Sequence, residues 1–520
     1  MIKKLILVIL SLVALLFLSG LALAEPPRNV LTYHNDTART GWNPFETILT
    51  PAKVAGGQFG FLFADKVDGQ VYGQPLYVSH LNLPDKGFPN VLFVVTEHDS
   101  VYALDADHAG KIFWQDHFTG ISNGVTISTV SEEDVNGCDQ ITPEIGITDT
   151  PVIDLATQTI YLVAMTKEIS AGPVTNFVHR LHTLDLATGS EKPGSPVVIQ
   201  ASVPQTKSGD IFNPISYKER CGLVLSNGVV YTTWASHCDF NHWGTYHGWL
   251  IGYDAQTLQQ KYVFNSTPNG SEASFWASGV APALDENGRL FLMTGNGTYD
   301  GLANQDWGDS FIRLEANGQN DLQVTDSFTP SNQANLSDND QDLGSGGALL
   351  LPEEVGSLLH PHLLVGAGKD GVVYLVDRDN MGGFRNINLN VQAVTLTGRE
   401  FGIPAYFNHN LYFGFSEGKL SQVGISNGVL SLIRSVDPTL GFPGAVPSVS
   451  SNGTSHGILW VAVGTSKNPT LRAYNANSLK LLYESKVRSV TKFAVPTVVN
   501  GKVYLGGSGF VQVFGLKPGL

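Results

Sequence analysis

Eight imperfect copies of one pattern run through the chain between Gly73 and Leu516, and they constrain the fold more than any single motif. Each copy has a small or proline-containing start, a strand, a tight turn, a strand ending near glycine and a strand ending near aspartate. The copies are Gly73–Asp107, Asp149–Gly189, Cys221–Thr257, Ser278–Gly318, Gly346–Asn380, Ile403–Gly428, Ala445–Ser478 and Ala494–Leu516. A fourth apolar-alternating stretch usually follows, as at Lys111–Phe118 and Lys480–Ser485. Four antiparallel strands repeated eight times predict an all-β, eight-bladed propeller. The last copy stops after three strands, while Phe59–Val67 precedes the first copy without a partner. Pairing Phe59–Val67 with Phe510–Leu516 would complete the last blade and close the ring, which predicts a single domain over residues 25–520. Composition agrees: 520 residues are too many for one ordinary core unless the fold is repetitive. Charged residues at 15% and 56 glycines suit buried strands and turns rather than solvated helices.

The first residues read as an export signal. "MIKK" is a basic start, Leu5–Leu18 an apolar stretch and "ALA" at 22–24 a small-residue cleavage site, so residues 1–24 are expected to be removed after Ala24. The same stretch is just long enough to be kept as an anchor. No later stretch is long and apolar enough to span a membrane, so a periplasmic or secreted protein is expected. The formal net charge of −15, without a Lys/Arg-rich segment, excludes a nucleic-acid partner. An oxidising compartment permits one disulfide among Cys138, Cys221 and Cys238. Cys138 precedes the first strand of the second blade and Cys238 follows the second strand of the third. Both fall on one face of neighbouring blades, which predicts the bridge Cys138–Cys238, with Cys221–Cys238 the closer pair in sequence.

Long polar inserts (His117–Thr148, Ser236–Trp249, Asn296–Ser310 and Asn332–Gly347) also fall on that face, where function is expected. Three short stretches there carry a resemblance. "MTGNG" (Met293–Gly297), "NDQDLGSGG" (Asn339–Gly347) and "KDGVVYLVDR" (Lys369–Arg378), together with the repeats, resemble the pyrroloquinoline quinone (PQQ) enzyme-repeat family, the quinoprotein alcohol dehydrogenase-like propellers. The resemblance implies PQQ and calcium as cofactors, and an alcohol or sugar as substrate. It implies Asn296 as a calcium ligand with Asp340 beside it, Asp342 as catalytic base and Lys369 at the quinone oxygens. It also implies Trp276 as the indole stacked on the cofactor. The chain departs from the family in lacking the adjacent Cys-Cys pair that caps the quinone. The calcium-ligating glutamate has no aligned counterpart, Glu144 and Glu168 being the nearest.

The residue types suit that chemistry on their own terms: oxidising an alcohol needs a base for the hydroxyl proton and a cation at the acceptor oxygens. Singly, each has a plainer role, since Asp342 fits a turn, Asn296 a left-handed turn and Lys369 a solvated hairpin. Two functions therefore stand side by side. One is a PQQ- and calcium-dependent dehydrogenase. The other is a cofactorless propeller that binds a protein or glycan on its insert-bearing face. The stretch "SHCDFNHWGTYHGW" (Ser236–Trp249) gathers His237, Cys238, Asp239, His242 and His247, but with no regular zinc spacing it reads as a packed aromatic loop.

Overall fold

The computed structural model describes residues 28–518 except 173, 204–210, 240–241, 304, 319–320 and 465–467. The expected signal segment lies outside the described residues. Eight antiparallel sheets follow one another around an axis, in the order and at the places of the eight sequence copies. Most have four strands. The first is Leu76–Val78, Val91–Val95, Ser100–Asp105 and Ile112–His117. The fifth is Leu349–Leu350, Leu363–Ala367, Val372–Asp377 and Gln392–Thr395. The second blade is larger, because the hairpin Gly120–Ser122/Val125–Ser128 of the first insert pairs with the long strand Thr159–Ser170. Among the described residues, helix is confined to short turns such as Pro51–Ala55 and Gln333–Asp338.

The blades form because second and third strands are apolar on both faces. All of Val91–Val95 and Leu363–Ala367 is buried, each strand being packed between two neighbouring blades. Outer strands alternate instead, as Leu481–Lys486 does, with one face to solvent. Tyrosines staple successive blades. Tyr161 in the second blade donates its hydroxyl to the Ala255 carbonyl of the third at 2.9 Å, and Tyr412 in the sixth to Ala476 of the seventh at 2.8 Å. Tyr504 of the last blade donates to Ala106 of the first at 3.1 Å, across the closure.

The ring closes as the sequence predicts. Strand Phe59–Gln70 pairs antiparallel with Ser508–Leu516, with Phe59 opposite Leu516 and Lys66 opposite Phe510. The preceding segment has a role the sequence does not announce. It winds along the axis and its carbonyls accept from the innermost strands in turn. Leu31 accepts from Ile153, Thr37 from Leu284, Ala38 from Leu350, Thr40 from Tyr406 and Gly41 from Val449. The innermost strands would otherwise present unpaired backbone edges to the channel. Arg39 is fully buried there and makes five hydrogen bonds, to the carbonyls of Pro282 (twice), Tyr33 and Asp36 and to Thr32 Oγ1.

Candidate functional site

Four sequence-nominated residues reach one cavity. Lys369 stands at the turn between the second and third strands of the fifth blade, where Gly371 takes φ +76°. Its backbone N–H donates to the Asp342 carbonyl at 3.0 Å. The preceding residue has to be glycine: a Cβ on Gly368 would lie 2.5 Å from the Asp342 carbonyl oxygen and 2.6 Å from Leu343 Cα. The Asp342 loop thus lies on the end of the Lys369 strand. Asp309 anchors it from the fourth blade, its Oδ1 accepting from the Leu343 N–H at 3.0 Å.

The Lys369 ammonium donates to Asp342 Oδ2 at 2.5 Å and to Asp340 Oδ1 at 2.6 Å, and its side chain is 12% exposed. It also sits 5.6 Å from the centre of the Trp276 ring. Asn296 donates its backbone N–H to Asp342 Oδ1 at 2.9 Å and its side-chain amide to Asp340 Oδ1 at 3.2 Å. Its own Oδ1 is buried without a hydrogen-bond partner among the described residues. Lys369 is therefore no solvated hairpin charge. Burial would lower its pKa, but Asp342 and Asp340 outweigh burial and hold it above the ordinary lysine range. Burial raises the Asp342 carboxyl, and Lys369 and the Asn296 amide pull it back.

The cavity has a volume of about 290 Å³, at the small end of the range for small-molecule sites. Asp342, Asp340, Lys369 and Trp276 form one end. Residues that the motifs did not single out form the rest: Lys218, Arg220, Arg399 and Lys492 supply cations, and Phe401 and Phe493 supply rings. These residues do share a signal. Arg220, Trp276, Asp342, Arg399, Phe401, Lys492 and Phe493 each lie a few residues upstream of an innermost strand. Superposing the eight copies at that strand would have gathered them.

The disulfide borders the same cavity. Cys138 is bonded to Cys238 with a Cα separation of 5.7 Å, and the nearby Gln140 and Asp239 line the cavity. Cys221 is a buried free thiol whose Sγ lies 3.3 Å from the Phe275 carbonyl oxygen. No group of three or more His, Cys, Asp or Glu side chains suited to a metal occurs among the described residues, including the Ser236–Trp249 loop. Glu144 and Glu168 are engaged away from the cavity. Glu144 accepts from Thr129 and lies 2.9 Å from His98, and Glu168 accepts from Arg180. An all-oxygen donor set remains in the free Oδ1 of Asn296 with Asp340 and Asp342. That set suits a hard divalent cation, with the Lys369 ammonium bonded to both carboxylates as its competitor.

Two outcomes follow directly from this geometry. A Cβ on Gly295 would fall 2.7 Å from Asp342 Oδ1, an oxygen already fixed by the Asn296 amide. Gly295→Ala is expected to leave the unfolding midpoint nearly unchanged while displacing the Asp342 carboxylate. Any turnover that uses the Asp342 carboxylate should then fall by about tenfold or more, since small misplacements of a reacting group are costly. Undiminished turnover would show that the Asp342 position is not critical.

The second outcome concerns pH. Burial raises Glu97 to about 7, and Glu400 and Asp309 to about 8. In the unfolded chain these groups titrate near about 4. The fold therefore keeps protons that the unfolded chain has released. Their contribution is fully present below about pH 4 and is lost as pH rises towards about 8. The thermal midpoint is expected to fall from mildly acidic to mildly alkaline pH, and a steady rise over that window would contradict the assignment.

No family model matches this chain, and no curated protein matches it. Solved structures do. A quinohemoprotein alcohol dehydrogenase from Pseudomonas putida HK5 matches with a TM-score of 0.63 and 13% identity, over 95% of this chain and 81% of that one. The corresponding enzyme from Comamonas testosteroni gives 0.60 and 14%, over 94% and 80%. A europium-containing methanol dehydrogenase gives 0.59 and 12%, over 95% and 99%. At these identities the likeness carries the fold alone: the chain is an eight-bladed propeller, the fold it shares with these dehydrogenases.

Proposed function

We propose that this protein is an exported dehydrogenase that oxidises an alcohol or sugar with PQQ and calcium bound in the cavity between Trp276 and Lys369. The observation that carries the proposal is the convergence of Lys369, Asp342, Asp340 and Trp276, from two neighbouring blades, on one ligand-sized space, with Asn296 bonded to both carboxylates. The residues fit the groups: Asn296 has a buried oxygen in want of a partner, and Trp276 presents an aromatic face beside a fixed ammonium.

Asn296, Asp340 and Asp342 would hold the calcium, and Lys369 and Trp276 the quinone. When bound, the quinone supplies the two-electron acceptor that no side chain can provide. Asp342 takes the substrate hydroxyl proton; burial raises its proton affinity, and Lys369 and the Asn296 amide pull it back. Lys369 holds positive charge beside the acceptor, and Phe401 and Phe493 help keep water from the reacting face.

The test is reconstitution of purified protein with PQQ and Ca²⁺, followed by absorbance, bound calcium and reduction of an artificial dye with a panel of alcohols and sugars. Retention of PQQ after gel filtration together with substrate-dependent dye reduction is the expected result. Neither retention nor reduction would sink the enzyme reading. The protein- or glycan-binding scaffold would then be the better account of the insert-bearing face.

A further inference from the structure

A second opening lies on the rim of the ring, between the third and fourth blades. Its volume is about 970 Å³, against about 290 Å³ for the central cavity, and it stands at the large end of the range for ligand sites. The outer strand Gln260–Asn265 of the third blade and the start of the outer strand Leu322–Thr329 of the fourth face it. Leu302 and Trp307, from the Asn296–Ser310 insert, complete the lining. No residue of the proposed oxidation site takes part.

The groove carries no net charge. Its basic and acidic side chains are Lys261 and Asp321, and Lys261 is already paired with Asp254 Oδ2 at 3.1 Å. Its polar groups are mainly side-chain amides: Gln260, Asn265, Asn269, Gln305 and Gln323. An amide both donates and accepts, which is what a hydroxyl group asks of its partners. Phe264, Leu322 and Trp307 are buried beneath these amides and supply apolar faces, while Leu302 stands 84% exposed. Two donors here are unmet. Asn265 Nδ2 and Trp307 Nε1 are buried without a hydrogen-bond partner among the described residues. Both side chains are held in place. Asn265 Oδ1 accepts from the Thr267 N–H at 2.9 Å, and the Trp307 backbone N–H donates to the Ser266 carbonyl at 2.9 Å. Buried donors of this kind call for an acceptor oxygen. The amides come from two blades and an insert, so a ligand meets them at several points and not along one strand edge, as an added peptide strand would.

We propose that the groove between the third and fourth blades binds a short, uncharged oligosaccharide. The side-chain amides meet its hydroxyls, and the apolar floor meets the C–H faces of its rings. The inference is independent of the preceding section and stands whether or not the central cavity oxidises anything.

The test is calorimetric titration of the purified full chain with maltotetraose, cellotetraose, laminaritetraose, mannotetraose and chitotetraose. Saturable binding of at least one is expected, with an affinity that salt leaves unchanged because the ligand is uncharged. Gln323 and Leu302 are exposed, so their variants should fold. Gln323→Ala should weaken binding by about fivefold or more, the loss of one hydrogen-bonding side chain. Leu302→Asp, which sets a charge against the sugar, should weaken it by about tenfold or more. Lys369→Ala should bind as the wild type does, which separates the groove from the central cavity. No saturable heat with any of the five sugars would overturn the proposal, as would unchanged affinity in both groove variants. Binding lost in Lys369→Ala but kept in Gln323→Ala would place the sugar in the central cavity and overturn it too. Saturable binding of the uncharged peptide acetyl-Thr-Val-Thr-Val-Thr-amide, with none of the sugars, would give the groove to a peptide instead. Sugar binding in the groove without any PQQ-dependent turnover would leave this site standing and remove the dehydrogenase.

Discussion

Lys369→Ala is expected to abolish PQQ-dependent dye reduction, with a loss of about 10²–10³-fold or more in turnover, while the protein still folds. The lysine is the positive charge bonded to Asp342 and Asp340 and set against Trp276. Removing it leaves two neighbouring carboxylates at one end of the cavity without their shared cation, so Asp342 should bind its proton more tightly and the base should titrate at higher pH. Asp342→Asn keeps the acceptor at the Asn296 amide but cannot take a proton, and an effect of about 10²–10⁴-fold is expected. The two variants differ in their pH profile: turnover remaining in Lys369→Ala should rise with pH, whereas any remaining in Asp342→Asn should not show that rise. Wild-type turnover in both would refute the assigned roles.

Deletion of residues 25–70 is expected to destroy the fold rather than trim it. It removes the closing strand Phe59–Gln70 and with it the pairing to Ser508–Leu516. It also strips the segment that caps the innermost strands of the second and of the fourth to seventh blades. Two sets of sheet edges would be exposed at once, and aggregation without a cooperative unfolding transition is the expected outcome. Arg39→Met tests the axial part separately. It withdraws five hydrogen bonds from a fully buried position and leaves carbonyls from two regions of the chain unpaired. A loss of roughly 3 kcal/mol or more in chemical denaturation is expected. A soluble, cooperatively unfolding deletion variant, or an Arg39→Met variant within about 0.5 kcal/mol of wild type, would show that the axial segment is ornamental.

Much of the architecture was legible because it is local. Apolar, β-branched runs such as Val372–Asp377 specify strands. Asp-Gly at 370–371 and Asn-Gly at 227–228, 427–428 and 500–501 specify turns, and the structure places all four glycines at positive φ. Eight recurrences of that local code, plus one unpartnered strand, determine the number of blades and how the ring closes. Lys369, Asp342 and Asn296 could be nominated because each sits in a short recognisable stretch at a known place in a blade.

Only the tertiary structure decided the rest. Residues 31–41 cap the inner strands through their own carbonyls, and backbone acceptors leave no mark on residue type. Arg220, Arg399 and Lys492 lie far apart in a chain of net charge −15 and look like isolated surface charges. They meet because equivalent loops of a closed ring point at one axis, so neighbours in space are a blade or more apart in sequence. The charge of the cavity is thus set by ring geometry, which gathers Lys218, Arg220, Arg399 and Lys492 with Lys369 and the carboxylates of Asp239, Asp340 and Asp342 around one low-dielectric space.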